Sequence, residues 1–151
     1  MRVWRLSSKR YPLPDGEGAR LYGGRWNLPG TAIVYTSATL SLAALEMLVH
    51  TDSDLLPKDL IVRAADIPEQ LGIEMINENE LPPNWRDYPA PEALQALGTE
   101  WIGRGQAAVL SVPSVVICEE RNYLLNPAHA DFAKISWSEA DPFRWKPRLL
   151  E

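Results

Sequence analysis

The chain has 151 residues, 46% of them apolar and 23% charged, which are the proportions of one ordinary globular domain and not of a disordered or membrane-embedded chain. Its net charge of -5 and isoelectric point near 5.1 argue against nucleic-acid backbone binding, which needs a basic stripe. A small anionic ligand stays open, because one or two arginines hold a diphosphate whatever the overall charge.

The start Met1-Arg2-Val3-Trp4-Arg5 lacks a secretory signal, and no apolar run approaches the roughly 20 residues a bilayer needs, so a cytoplasmic protein without a membrane span is expected. Cys118 has no disulfide partner, and His50 and His129 lie far apart without a zinc-ligand pattern, so no metal is expected. Val3 to Leu6 alternates and opens a sheet, after which Lys9 to Gly24, with two prolines and four glycines, reads as a loop. Ala32 to Tyr35 suits a strand. A helix from Ala38 to His50 follows, capped by Thr36 or Ser37, and its apolar circumference predicts a largely buried rod.

Leu60 to Ala65 reads as a strand, Glu74 to Pro89 as irregular or only briefly ordered, and Pro91 to Ile102 as a helix stopped by Gly103 and Gly105. Ala107 to Val112 and Val115 to Cys118 are β-type runs divided by Pro113. Phe132 to Trp137 predicts a last strand, and Asp141 to Glu151 a tail laid over the surface. The irregular order lacks βαβ repetition. It predicts one α+β domain over 1–151, with a mixed, mainly antiparallel sheet and flanking helices.

Glu46 is the one carboxylate on the apolar helix and needs a cationic or hydrogen-bonding partner or a polar cavity; His50, four residues on, is a candidate. A purely structural pair is the competing reading. Gly23-Gly24-Arg25-Trp26-Asn27 puts two glycines before an arginine, a pattern that lets a ligand approach the backbone and meet a guanidinium, though an ordinary turn also fits. Tyr35, at a strand end beside that helix, can stack on a heteroaromatic ring and donate a hydrogen bond, or serve as core. Ser114 lacks the G-x-S-x-G surroundings of a nucleophile, so Ser114 and Asn122 are read as hydrogen-bonding residues, the asparagines otherwise closing turns.

These pieces coincide in one family. Val3-Trp4-Arg5-Leu6, Gly24-Arg25-Trp26, Ile33-Val34-Tyr35-Thr36, Leu45-Glu46-Met47-Leu48-Val49-His50, Val112-Pro113-Ser114 and Asn122-Tyr123-Leu124-Leu125-Asn126-Pro127-x-His129 span nearly the whole chain. The chain thereby resembles RES-domain proteins, named for an arginine, a glutamate and a serine and commonly encoded as toxins beside an Xre-type antitoxin.

The resemblance implies a fold similar to mono-ADP-ribosyltransferase toxins, and NAD⁺ as substrate with no separate cofactor. It places the catalytic set at Glu46, Arg25 and Tyr35, with Arg5, Arg25, Tyr35, Ser114 and Asn122 binding substrate. The implied reaction is cleavage of the nicotinamide–ribose bond by hydrolysis or phosphorolysis. In the family the acceptor is water, phosphate or a protein side chain. Protein mono-ADP-ribosylation and a non-catalytic nucleotide- or partner-binding module are the alternatives. An Xre-type antitoxin is the implied partner, with a homodimer inside that complex, and direct nucleic-acid binding is not expected.

Overall fold

The computed structural model describes residues 1–151, the side chain of Ser53 excepted. Strand β1 (Arg2–Ser8) pairs antiparallel along its whole length with β3 (Leu60–Asp66), from Arg2 opposite Asp66 to Ser8 opposite Leu60, and its other edge meets β2 (Val34–Ser37) at Trp4 and Ser37. Beyond β2 lie β6 (Arg121–Leu125), β5 (Val109–Pro113) and β4 (Ile73–Met75). The β4–β5 pair is parallel and the other pairs are antiparallel. Strands β7 (Ser136–Trp137) and β8 (Asp141–Phe143) follow one another along the free edge of β3. This is the single α+β domain with a mixed, mainly antiparallel sheet that the sequence predicts.

Period-2 alternation on β5 and β6 buries both faces of the sheet. Val109 and Leu125 join Val3, Val34, Ala65 and Ile135 on one face, whereas Leu110, Val112 and Leu124 join Trp26, Trp85, Leu94 and Trp101 on the other. Helix α3 (Glu92–Arg104) covers the second face through Leu94 and Trp101. It comes close because residue 98 is glycine; a Cβ there would collide with the Trp26 carbonyl. Two further helices complete the domain, α1 (Glu17–Tyr22) and α2 (Leu40–His50).

Several expectations change. The segment 9–24 contains α1, closed by a Glu17–Arg20 pair and entered through Gly16 at φ 76°. Thr36 and Ser37 belong to β2; the α2 cap is Thr39, whose hydroxyl accepts from the Leu42 N–H at 3.1 Å. Helix α2 is not a buried rod. Of its residues only Leu42 is fully buried, while Leu45 and Val49 are 37% and 58% exposed, because the helix rests one face on β1 and β2 and leaves these side chains open to solvent.

Within 74–89 the start of the segment is drawn into the sheet as β4. Val115 to Cys118 forms a turn, and the polar stretch after it supplies strand β6, whose Arg121 satisfies itself on Ser111 and the Ile76 carbonyl. Phe132 to Trp137 divides into a 3-10 turn (Ala130–Lys134) and the two-residue β7, and the tail contributes β8. Among the described residues no helix is long and apolar enough to cross a membrane.

Gly98→Ala is expected to destabilise the protein by about 1–3 kcal/mol or more, the cost of forcing a methyl into a filled contact. A urea denaturation midpoint equal to that of the unsubstituted protein would show that α3 does not depend on this approach.

Candidate functional site

The site forms where α2 crosses the β2–β6 seam. Glu46, midway along α2, points its carboxylate at that seam, and one oxygen, Oε1, accepts two short hydrogen bonds: from the Ser114 hydroxyl at 2.6 Å and from the Asn122 side-chain amide at 2.6 Å. Each donor is itself fixed. The Ser114 oxygen accepts the Val116 and Ile117 amides, which seats it in the turn after β5. The Asn122 carbonyl accepts the Ser37 hydroxyl at 2.9 Å, across the register pair Ser37–Asn122 of β2 and β6, so the amide nitrogen faces Glu46. Charge-assisted bonds of this length offset much of the cost of a partly buried carboxylate.

His50, one candidate partner for Glu46, is not hydrogen-bonded to it. Its ring stacks on Tyr88, with centroids 5.7 Å apart and planes 23° from parallel. Ser114 is fully enclosed and meets Glu46 from behind, while Glu46 and Asn122 themselves reach the cleft.

Arg25 stands on the loop between α1 and β2. Its guanidinium donates to the Trp85 carbonyl at 2.9 Å and to the Asp87 carbonyl at 3.1 Å, which ties the segment before α3 to the Gly23–Asn27 loop. With five N–H groups on a guanidinium and two so engaged, three remain. Partial burial lowers the Arg25 pKa from its ordinary value, opposed by the negative charge of nearby Glu46 and by Tyr35, Tyr88 and Asp87; the group stays cationic.

The loop is clamped from beneath by Tyr35. Its hydroxyl donates to the Asn27 side-chain carbonyl at 2.5 Å and accepts the Trp26 N–H at 3.0 Å. Asn27, fully buried, spends its own amide on the carbonyls of Ala19, Leu28 and Thr31. The Tyr35 proton is therefore already committed, and what the residue offers the cleft is its ring. Burial raises the Tyr35 pKa well above its ordinary value, against the pull of the Trp26 amide and the Arg25 charge.

The same clamp explains the glycines. Gly23 holds φ 74° and ψ 179°, a conformation that disfavours side chains, and a Cβ at residue 24 would lie 2.6 Å from the Tyr35 hydroxyl. Their requirement is internal to the loop. Nothing in the sequence separated Asn27 from an ordinary turn asparagine, or Ser37 from a helix cap.

Together these elements bound a cleft of about 830 Å³ whose lining includes Gly24, Arg25, Tyr35, Glu46 and Asn122. Arg5 is placed elsewhere, in an adjoining cavity of about 180 Å³ that shares Tyr35, Gly18 and Ala19 with the cleft. There it donates to the Ser7 hydroxyl and the Tyr11 carbonyl, and burial lowers its pKa from the ordinary value. Among the described residues no three His, Cys, Asp or Glu side chains converge as metal ligands would.

With this geometry in view, the family model described as "RES domain" matches residues 2–146. The chain belongs to the RES-domain family. Full-length relatives include the protein named "Prs ADP-ribosylating toxin" from Sphingobium sp. (strain YBL2), 35% identical over 97% of this chain and 95% of that one. Another is "Toxin Res" from Yersinia enterocolitica, 37% identical over 99% of both chains. In structure this RES domain is similar to a chain of the M. tuberculosis MbcT–MbcA toxin–antitoxin complex, with a TM-score of 0.78 at 15% identity over 99% of this chain and 86% of that chain. At that identity the likeness speaks for the fold, which the RES domain here shares with that chain.

Tyr35→Phe removes both the donor to Asn27 and the acceptor for the Trp26 amide. Hydrogen exchange at the Trp26 N–H is expected to accelerate, with stability falling by about 1–3 kcal/mol as buried groups lose partners. Unchanged Trp26 protection would mean that the tyrosine does not hold the loop.

Proposed function

We propose that this RES protein is the toxin of a toxin–antitoxin pair and that it cleaves the nicotinamide–ribose bond of NAD⁺. The observation that carries the reading is the Glu46 carboxylate, held on Oε1 by Ser114 and Asn122 within a cleft that also exposes Arg25. The two donors fix the group while leaving Oε2 for a ligand. A carboxylate so fixed suits a reaction in which positive charge grows on a sugar carbon, because it hydrogen-bonds the ribose hydroxyls and stabilises the charge without reorganising.

In that reaction the bond between the ribose carbon and the nicotinamide nitrogen breaks, and its electron pair leaves with the nitrogen, turning the pyridinium into neutral nicotinamide. Water, or an oxygen of phosphate in its place, forms the new bond at that carbon and gives up its proton. Arg25 supplies its remaining N–H groups to the diphosphate while its other two brace the 85–87 backbone, so ligand and cleft wall are positioned by one cation. The Tyr35 ring forms part of the cleft wall. Asn122 and Ser114 act through the carboxylate, and Arg5, in the adjoining cavity, meets the phosphate end if the dinucleotide extends that far.

A second reading, transfer of ADP-ribose to a protein, is favoured by the name of the Sphingobium relative. It uses the same pocket and the same bond cleavage with a different acceptor. In either case the enzyme works in the cytoplasm, where NAD⁺ is plentiful, and needs a partner to restrain it. A separate antitoxin of the Xre type that covers the cleft and offers a carboxylate to Arg25 fills that role, in line with the toxin–antitoxin complex containing the structural relative.

Glu46→Gln keeps the shape and still accepts from Ser114 and Asn122, so the fold and NAD⁺ binding are expected to survive while NAD⁺ consumption falls on the order of a hundredfold or more. Turnover at the unsubstituted rate would refute the role assigned to the carboxylate; loss of the folded state would favour a structural one. For the partner, expression of the RES protein alone is expected to arrest growth and lower cellular NAD⁺, co-expression with an Xre-type antitoxin to restore both, and the purified complex to bind NAD⁺ much more weakly. Full affinity in the complex would contradict a covered cleft.

A further inference from the structure

Where the last turn of α2 meets the segment before α3, the cleft is lined by Met47, His50, Thr51, Tyr88, Pro89 and Ala90. This part of the wall carries no carboxylate, ammonium or guanidinium, in contrast with the stretch around Arg25 and Glu46. Its distinguishing feature is the parallel stack of His50 on Tyr88. Tyr88 is 73% exposed even so; His50 occupies one face of the ring, and the ring remains open to the solvent beyond.

An exposed tyrosine on a loose loop would mean little, but this one stands on a fastened backbone. Arg25 holds the carbonyls on either side of Arg86, the Arg86 Nε–H donates to the Val115 carbonyl at 3.2 Å, and the Trp85 side chain is sunk in the core. The aromatic pair is thus presented at a set place with little left to order on binding.

We infer that the His50–Tyr88 stack is the platform for the nicotinamide ring of the dinucleotide. This rests on the NAD⁺ reading of the site. His50 lies one helical turn beyond Glu46, about 6 Å along α2 and on the same face. The ring attached directly to the ribose carbon that Glu46 addresses reaches that far, whereas the adenine is separated from that carbon by both riboses and the diphosphate. The chemistry agrees. Oxidised nicotinamide is a flat cation, which an electron-rich tyrosine face attracts by stacking and by cation–π interaction. The released nicotinamide is neutral and loses the second of these, so the platform holds substrate more strongly than product.

The test reads binding directly, by ligand-observed NMR titration of the protein with 1-methylnicotinamide, which keeps the positive charge the ring carries in the dinucleotide, and, separately, with adenosine monophosphate. Tyr88→Ala alters an exposed side chain and leaves the backbone ties to Arg25 in place. It is expected to weaken 1-methylnicotinamide binding about tenfold, the usual scale for losing one aromatic stacking partner, with adenosine monophosphate unaffected and with Tyr88→Phe restoring the affinity. His50→Ala is expected to weaken it less, by freeing the tyrosine ring. 1-Methylnicotinamide binding equal in Tyr88→Ala and the unsubstituted protein, no 1-methylnicotinamide binding to either, or a loss confined to adenosine monophosphate would each overturn the assignment. Because the titration needs no turnover, a protein that binds 1-methylnicotinamide through Tyr88 but leaves NAD⁺ intact would sink the cleavage reading and not the platform.

Discussion

A carboxylate placed on a helix that packs against a sheet has to be met by donors, or the helix moves away, and the contact among Glu46, Ser114 and Asn122 is where this fold meets that demand. Three segments distant in sequence are brought to one oxygen atom: α2, the turn after β5, and β6. All the donors are neutral. A lysine or arginine bonded directly to Glu46 would have compensated the buried charge more fully, but it would also have cancelled the field that a developing cation on a ligand could feel. Neutral donors satisfy the group and leave its charge to the cleft.

The arrangement depends on register. Asn122 faces Glu46 because Ser37 lies opposite it and orients its amide; a slip of one residue between β2 and β6 would turn Asn122 to the other face of the sheet. A parallel logic governs the cation. Arg25 is delivered by a loop whose glycines, buried asparagine and tyrosine hydroxyl form one closed set, and the arginine in turn fastens the backbone that carries Tyr88. The cation and the aromatic pair thus share a support in the 85–87 backbone, and a change at one is felt at the other.

The sequence made much of this legible, for identifiable reasons. The long elements β1, β3, α2 and α3 are where residue type and the placement of glycine and proline speak clearly, and a lone Glu46 in an apolar helix announced itself by its cost. What was hidden depended on partners remote in the chain. Strand β6 begins with Arg121 and Asn122, and an asparagine there fits a turn equally well until Glu46 is seen to receive its amide. Ser37 looked like a cap because capping is local, and its real partner is 85 residues away. The exposure of Leu45 and Val49 was equally invisible, since a helical wheel shows which residues are apolar but not how many sides of the helix are covered. His50 has the right spacing from Glu46 for a pair, and the stack with Tyr88 drew it away.

The central claim is that this site breaks one particular bond. Its most direct test is proton NMR of NAD⁺ incubated with the purified protein, with and without inorganic phosphate, following the nicotinamide ring and the anomeric ribose protons together. The account predicts free nicotinamide appearing in step with the loss of NAD⁺, and a new ADP-ribose anomeric signal whose identity changes with phosphate if phosphate is the acceptor. Intact NAD⁺ after prolonged incubation with folded protein, or products cut at the diphosphate with nicotinamide still on its ribose, would contradict it.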